Sequence, residues 1–289
     1  MQCQSPMRIG MVKNGSQNGA SWKRSLADIQ DDLAGLGDDW KRHDGISHMT
    51  KLLFHEDAYL KRCSGTVAGH THQGGIILDR TVFYPHGGGQ PGDSGLLRWS
   101  EGEIEVSTTV KTEEGQIAAV SPESSPLPPI GAVVEQEVDW DRRYGHMRVH
   151  TALHLLSVLI PLPVTGGSIS EGKGRLDFDM PEAPADKAKL EEKLNALIAE
   201  DHEVSEQWIT DEELAGKPEL VKTMKVSPPM GTGMVRLIRI GRGASQIDIQ
   251  PCGGTHVAQI GEIGKCRIGK MEKKGRQNRR VYIHIDCDV

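Results

Sequence analysis

Val149-His150-Thr151-Ala152-Leu153-His154-Leu155-Leu156 decides how the second half of this 289-residue chain is read. Apolar residues fill most positions from Val149 to Ile160, so a helix here has to be buried on most sides. A spacing of four puts the imidazoles of His150 and His154 on one helix face, a turn apart. With Ser157 they form a polar stripe on an apolar helix, and buried polar groups need partners. A histidine pair at this spacing also arises on helix surfaces or as satisfied core groups. Far along the chain, Gln250-Pro251-Cys252-Gly253-Gly254-Thr255-His256 supplies the complement. Adjacent glycines favour a turn over a helix, so this run is read as a loop that brings a thiolate and an imidazole to one point. His150, His154, Cys252 and His256 then make a Cys/His set of the kind zinc prefers. The competing reading of Cys252 is an inert buried thiol. His146, one turn before His150, is read as a helix-surface histidine, with a supporting place beside the ligands as the alternative.

The chain is long enough for two ordinary domains. It has no run of 18 apolar residues that would span a membrane, and no signal-peptide pattern at Met1-Gln2-Cys3-Gln4-Ser5-Pro6. Cys3, Cys63, Cys252, Cys266 and Cys287 are odd in number and lack a framework spacing, which points to a reducing, cytoplasmic compartment. The formal charge of −6 argues against a generally basic nucleic-acid binder. It is uneven, however. Lys265, Arg267, Lys270, Lys273, Lys274, Arg276, Arg279 and Arg280 crowd one stretch against the single acid Glu272. That stretch is either a solvated basic loop or a phosphate-contacting one. Aromatics make up only 4% of residues, so a base-stacking platform is not expected.

Residues 1–48 are polar, and only Ser25 to Leu36 carries a helical spacing of leucines. They are read as a disordered or loosely packed extension, or as the product of a start placed upstream of Met49. Across residues 49–140, short apolar runs separated by Gly, Asp and Pro predict strands at 65–68, 75–79, 81–85, 104–106 and 133–138, arranged as a small antiparallel β-barrel. Residues 141–289 begin with the histidine helix, which Pro161 and Pro163 end. An amphipathic helix follows over 184–200, with strands at 168–170, 175–179, 234–240, 245–249 and 281–285. Strands and helices without a βαβ rhythm predict an α+β fold, the second half a two-layer α/β sandwich.

The two histidine-bearing runs also carry a resemblance. So do Gly87-Gly88-Gly89-Gln90-Pro91-Gly92-Asp93-Ser94-Gly95, Thr165-Gly166-Gly167-Ser168, Gly174-Arg175-Leu176-Asp177-Phe178-Asp179 and Lys274-Gly275-Arg276-Gln277-Asn278-Arg279-Arg280. From about residue 49 onward the chain resembles the AlaX family, freestanding alanyl-tRNA editing proteins related to the editing domain of alanyl-tRNA synthetase. The resemblance implies a translation-factor-like barrel followed by an editing domain. It also implies hydrolysis of the ester between a wrong amino acid and tRNA(Ala), serine the favoured victim and glycine second. One zinc ion per chain would serve, since zinc lowers a water's pKa to about 7 and polarises a carbonyl. Four protein ligands normally close a structural site, so an expandable site is expected.

The resemblance further sets the glycine-rich loop (Gly87, Gly88, Gly89, Gln90, Asp93) beside the pocket. Thr165 is the expected reader of the serine hydroxyl and Gln90 the reserve. Lys273, Lys274, Arg276, Arg279 and Arg280 are the expected tRNA contacts. The alternatives are a zinc-stabilised RNA-binding module without catalysis and a zinc hydrolase of another small ester.

Overall fold

The computed structural model describes residues 50–122, 125–222 and 233–286. The extension expected over residues 1–48 and the short helix within it lie outside the described residues. The first half is a seven-stranded antiparallel sheet. Ahead of it, β1 (Lys51–Leu52) is followed by the single turn α1 (Leu53–Glu56). The strands that follow are β2 (Arg62–His70), β3 (Ile76–Leu78), β4 (Arg80–Thr81), β5 (Gly95–Trp99), β6 (Gly102–Val106), β7 (Thr108–Lys111), β8 (Ile117–Val120) and β9 (Val133–Val138). The sheet runs β6-β5-β9-β2-β3-β8-β7, while β4 pairs apart from it with β1. Its two edges, β6 and β7, are separated in sequence only by Ser107, so the sheet must curl until it nearly closes. Val67, Ile76, Leu78, Leu97, Ile104, Val106 and Val134 point inward at alternate positions and form its core.

The expected strand over 81–85 stops at Thr81. Side chains take the backbone donors beyond it: Val82 N–H donates to Gln136 Oε1 (3.2 Å), Phe83 N–H to Thr81 Oγ1 (3.0 Å) and Tyr84 N–H to Asp93 Oδ2 (2.6 Å). A buried, irregular segment is tolerable only with such substitutes for a ladder.

The second half centres on α2 (Trp140–Leu159), capped by Asp139, whose carboxylate accepts the Arg142 N–H at 3.3 Å. Residues 161–163, Pro161-Leu162-Pro163, follow its end as expected. β10 (Val164–Ser170) and β11 (Lys173–Asp179) come next, then α3 (Lys187–Ala199), capped by Asp186 at Lys189 N–H (2.8 Å). The remainder is β12 (Val204–Thr210), α4 (Asp211–Ala215), β13 (Met234–Ile240), β14 (Asp248–Pro251), β15 (Cys266–Lys273) and β16 (Asn278–Ile285). They make an antiparallel sheet β10-β11-β16-β15 and a smaller one, β12-β13-β14. Leu153, Leu156 and Val149 of α2 pack with Leu194 and Ile198 of α3 against Phe178, Val281 and Ile283. The basic stretch, one reading of which was a loop, is the β15–β16 hairpin: Ile268, Val281, Ile283 and Ile285 are buried while lysines and arginines alternate outward.

One ion pair joins α2 to the curled sheet. Arg143 of α2 is fully buried and Asp93 is 1% exposed. The guanidinium donates Nε to both Asp93 oxygens (2.9 and 2.8 Å) and a further bond from Nη2. It also donates to Val82 O (2.6 Å) and Ala58 O (3.0 Å). Removing one partner of a buried pair strands the other, at about 3–5 kcal/mol. Asp93→Ala is therefore expected to lower the thermal midpoint by on the order of 10 °C, and Asp93→Asn by less. A calorimetric midpoint unchanged in Asp93→Ala would show that this pair does not hold the two halves together.

Candidate metal centre

His150 and His154 come from α2; Cys252 and His256 come from the loop that leaves β14. Their four donor atoms lie within 4.8 Å of one another. The Cys252 Sγ stands 3.5 Å from His150 Nε2 and 3.3 Å from His256 Nε2. A tetrahedral ion with Zn–N near 2.0 Å and Zn–S near 2.3 Å sets a sulfur and a nitrogen ligand about 3.5 Å apart, and the two Sγ–Nε2 separations match that spacing. The three rings crowd together, with centroids 4.3 to 5.3 Å apart.

Each imidazole turns its other nitrogen to a fixed partner, the arrangement that orients metal-ligating histidines. His150 Nδ1 meets Gln90 Oε1 at 2.9 Å. His154 Nδ1 meets Asp248 Oδ2 at 3.1 Å. His256 Nδ1 meets Thr151 Oγ1 at 3.1 Å. The Thr151 hydroxyl spends its only proton on Met147 O (3.0 Å), so here it accepts. His150 and His256 thus carry hydrogen on Nδ1 and turn Nε2 to the centre, while His154 Nδ1 also lies 3.0 Å from Gln250 Nε2 and its ring gives up a proton when it ligates a metal.

Charge follows the same geometry. Burial pushes the Cys252 thiol up, but His150 and His256, together with hydrogen bonds from His150 and His154, outweigh it and hold the thiol well below its ordinary range. Burial depresses His256 further than Cys252 raises it. Burial also lowers His154, yet bonds to Asp248 and Cys252 lift it to about 9. Asp248, despite burial, is held at about 2 by His154 and by Lys222, whose Nζ lies 2.5 Å from Oδ1. A thiolate ringed by imidazoles has the ligand chemistry that metal binding requires.

The loop itself is built for close approach. A Cβ on Gly254 would sit 2.2 Å from His150 Cε1 and 2.9 Å from Gln90 Oε1, so no other residue fits. Arg236 of β13, 4% exposed, donates to the carbonyls of Cys252 (2.9 Å) and Gly254 (2.8 Å) and pairs with Glu206. Four residues beyond the ligands therefore shape the centre without having been singled out in the sequence: Thr151, Lys222, Arg236 and Asp248. Asp248 had a legible signal, because positions 248, 250 and 252 share one face of a strand running to Cys252. Arg236 and Lys222 had none.

The other expected site residues fall in several places. Gly88 and Gly89 have φ of +57° and +84°, and the Gln90 N–H returns to Gly87 O at 2.9 Å. That is the signature of a type I′ turn, and it aims Gln90 at the centre. Gln90 is fully buried. Its Oε1 takes His150 and the Thr255 N–H (3.1 Å), and its Nε2 donates to Thr255 Oγ1 (2.8 Å), so this amide positions a ligand. Asp93 belongs to the Arg143 pair. Thr165 donates to Asp177 O (3.2 Å) and accepts from Asn278 Nδ2 (3.0 Å). His146 is not on the surface: it is 2% exposed, and burial together with Arg142 and Arg143 lowers it to about 4.

In the hairpin, Arg280 is bidentate to Asp177 (2.7 and 2.9 Å), and Arg279 donates to the carbonyls of Gly275, Asn278 and Pro181. Lys274 pairs with Glu272 at 2.8 Å. Lys273 and Arg276 are exposed.

Two family models match parts of this chain. The family described as "Threonyl and Alanyl tRNA synthetase second additional domain" matches residues 235–282, which include Cys252 and His256. The family "tRNA synthetases class II (A)" matches residues 40–142. The chain is 34% identical to the alanyl-tRNA editing protein AlaX-M of Methanosarcina mazei over 82% of its own length and 97% of that protein's. To AlaX-M of Pyrococcus horikoshii it is 33% identical, over 83% and 99%. It matches 25% of the alanine–tRNA ligase of Pyrobaculum neutrophilum, at 34% identity over 78% of this chain. With such identity running through nearly the whole length of the freestanding relatives, the chain belongs to the AlaX family of alanyl-tRNA editing proteins.

Proposed function

We propose that the protein is a trans-editing aminoacyl-tRNA deacylase. It hydrolyses the ester of mischarged tRNA(Ala) in the cytoplasm, with seryl-tRNA(Ala) preferred and glycyl-tRNA(Ala) second, at one zinc ion held by His150, His154, Cys252 and His256. The buried Cys/His quartet carries this reading, in a chain whose full-length relatives bear the name alanyl-tRNA editing protein. Division of the chain into a barrel (49–140) and a sandwich editing domain (141–289) belongs to the same reading.

When bound, zinc supplies Lewis acidity for an ester carbonyl and for the attacking water. The chain's own residues do the rest. Gln90, Asp248 and Thr151 keep the imidazoles from turning, and Arg236 pins the loop carbonyls behind Cys252 and Gly254. Cys252 is less buried than the three histidines, so substrate approaches from its side. The leaving ribose hydroxyl is far easier to expel than an amide nitrogen, so no strong acid is needed beside it. Thr165 uses its proton and one lone pair within the sheet, which leaves one acceptor for a substrate hydroxyl. A site that bonds a hydroxyl rejects the analogue lacking it far better than an apolar pocket does.

Elemental analysis should find one zinc per chain, and His150→Ala with His154→Ala should lose it; full occupancy in the double variant would remove the assignment. In a deacylation assay with mischarged tRNA(Ala), hydrolysis should be fast for serine, slower for glycine and nearly absent for alanine. Thr165→Val should narrow the lead of seryl over alanyl substrate. Binding of tRNA without ester loss would favour the RNA-binding module instead. In the hairpin, the exposed Lys273 and Arg276 are expected to meet phosphate. Changing both to Ala should weaken tRNA binding and reduce the slope of log K against log salt by roughly 1.4–1.8, while Arg279→Ala with Arg280→Ala should act mainly on hairpin stability. An unchanged slope in the first pair would move the tRNA path elsewhere.

A further inference from the structure

Aromatic residues are few in this chain, yet four rings meet along one side of the metal centre. Tyr84, whose hydroxyl donates to Gly87 O at 3.0 Å, lies edge-on to Phe54, with centroids 5.4 Å apart. Phe54 contacts His55 at 4.6 Å, and His55 meets Trp208 at 6.0 Å with the rings inclined by 71°. Tyr84 and Phe54 are buried and His55 is half-buried, but Trp208 is 46% exposed. An indole left open at the end of a packed aromatic row offers a flat, fixed face on which another ring can stack.

Its position is tied to the centre twice. His55 Nε2 bonds Gly253 O at 3.1 Å, inside the loop that carries Cys252 and His256. On the sheet, Trp208 is the cross-strand partner of Arg236, whose guanidinium holds the Cys252 and Gly254 carbonyls. The open ring is therefore fixed to the same backbone as the metal ligands.

We infer that Trp208, steadied by His55, is a stacking shelf for the terminal nucleobase of the RNA whose ester is cleaved. This rests on the deacylase reading above. The ester sits on the terminal ribose, and a single sugar ring separates it from that base. With the ester at the quartet, the base must lie close by, and an open indole is the surface that accepts any base by its π-face. The shelf grips the terminal nucleotide without reading its edge. It would work alongside phosphate contacts on the hairpin, whose strength depends on salt where stacking does not.

The test uses zinc-loaded, full-length protein and two labelled trinucleotide RNAs. One ends in adenosine; the other ends in the same ribose without its base. Both carry the same phosphates, so charge cancels in the comparison. Wild type should bind the first about 10-fold more tightly, roughly 1.4 kcal/mol, within the range of one base–aromatic stack. Trp208→Ala should abolish the difference and Trp208→Phe should keep most of it, with zinc content normal in both. On mischarged tRNA, Trp208→Ala should raise KM and leave kcat close to wild type.

Equal binding of the two RNAs by wild type, including no measurable binding of either at millimolar concentration, overturns the shelf. So does a Trp208→Ala variant that still discriminates. Deacylation by wild type on the same preparation separates the two ideas: activity without base discrimination rejects the shelf alone, whereas no activity rejects the deacylase reading itself.

Discussion

Three imidazoles and a thiol cannot share a buried space unless every ring nitrogen and the sulfur have a partner, because an unpaired polar group there costs several times what a satisfied bond contributes. The rest of this structure is arranged around that requirement. Gln90, Asp248 and Thr151 each take one Nδ1, and this leaves the three Nε2 atoms and the Cys252 sulfur turned toward one point. The supporting groups are themselves held. Gln90 is enclosed by Thr255, Asp248 by Lys222 and Gln250, and Thr151 by its bond to Met147 O. Two layers of bonds thus fix a donor set before any ligand arrives.

The same requirement welds the two halves of the chain together. Gln90 belongs to the segment that follows the curled sheet's irregular stretch, yet its amide finishes a ligand on α2. Arg143, on that helix, reaches the other way and satisfies Asp93, Val82 O and Ala58 O. Asp93 in turn holds the Tyr84 N–H, in the stretch where the expected strand gives way to side-chain bonding. A change in either half is felt at the centre because neither half satisfies its own polar groups.

Arg236 has a comparable place on the other side. It spans from Glu206 on β12 to the carbonyls beside Cys252, so the small three-stranded sheet is a frame for the ligand loop. Through the pairing of Trp208 with Arg236 and the His55 bond to Gly253, that frame extends to the exposed aromatic edge. Scarcity of aromatics in the composition concealed this, since a count cannot tell scattered rings from rings gathered by folding.

What the sequence determined by itself was local. The apolar run with His150 and His154 forces a buried helix with a polar stripe, and the double glycine before His256 forces a loop, because spacing and backbone freedom are short-range properties. From these two runs the quartet that the fold gathers was legible, and the motif order made the family legible. Tertiary structure decided everything that needs a distant partner. It alone committed Gln90 to His150, Asp93 to Arg143 and Arg280 to Asp177, since a lone amide, carboxylate or guanidinium reads the same in sequence whether it faces substrate, solvent or another buried charge. It ended the 81–85 strand at Thr81 because remote side chains captured the backbone donors. It buried His146, which the pattern had placed at the surface, because α2 is enclosed on faces that its own periodicity leaves undefined. Periodicity reports which residues share a face; only packing says what that face meets.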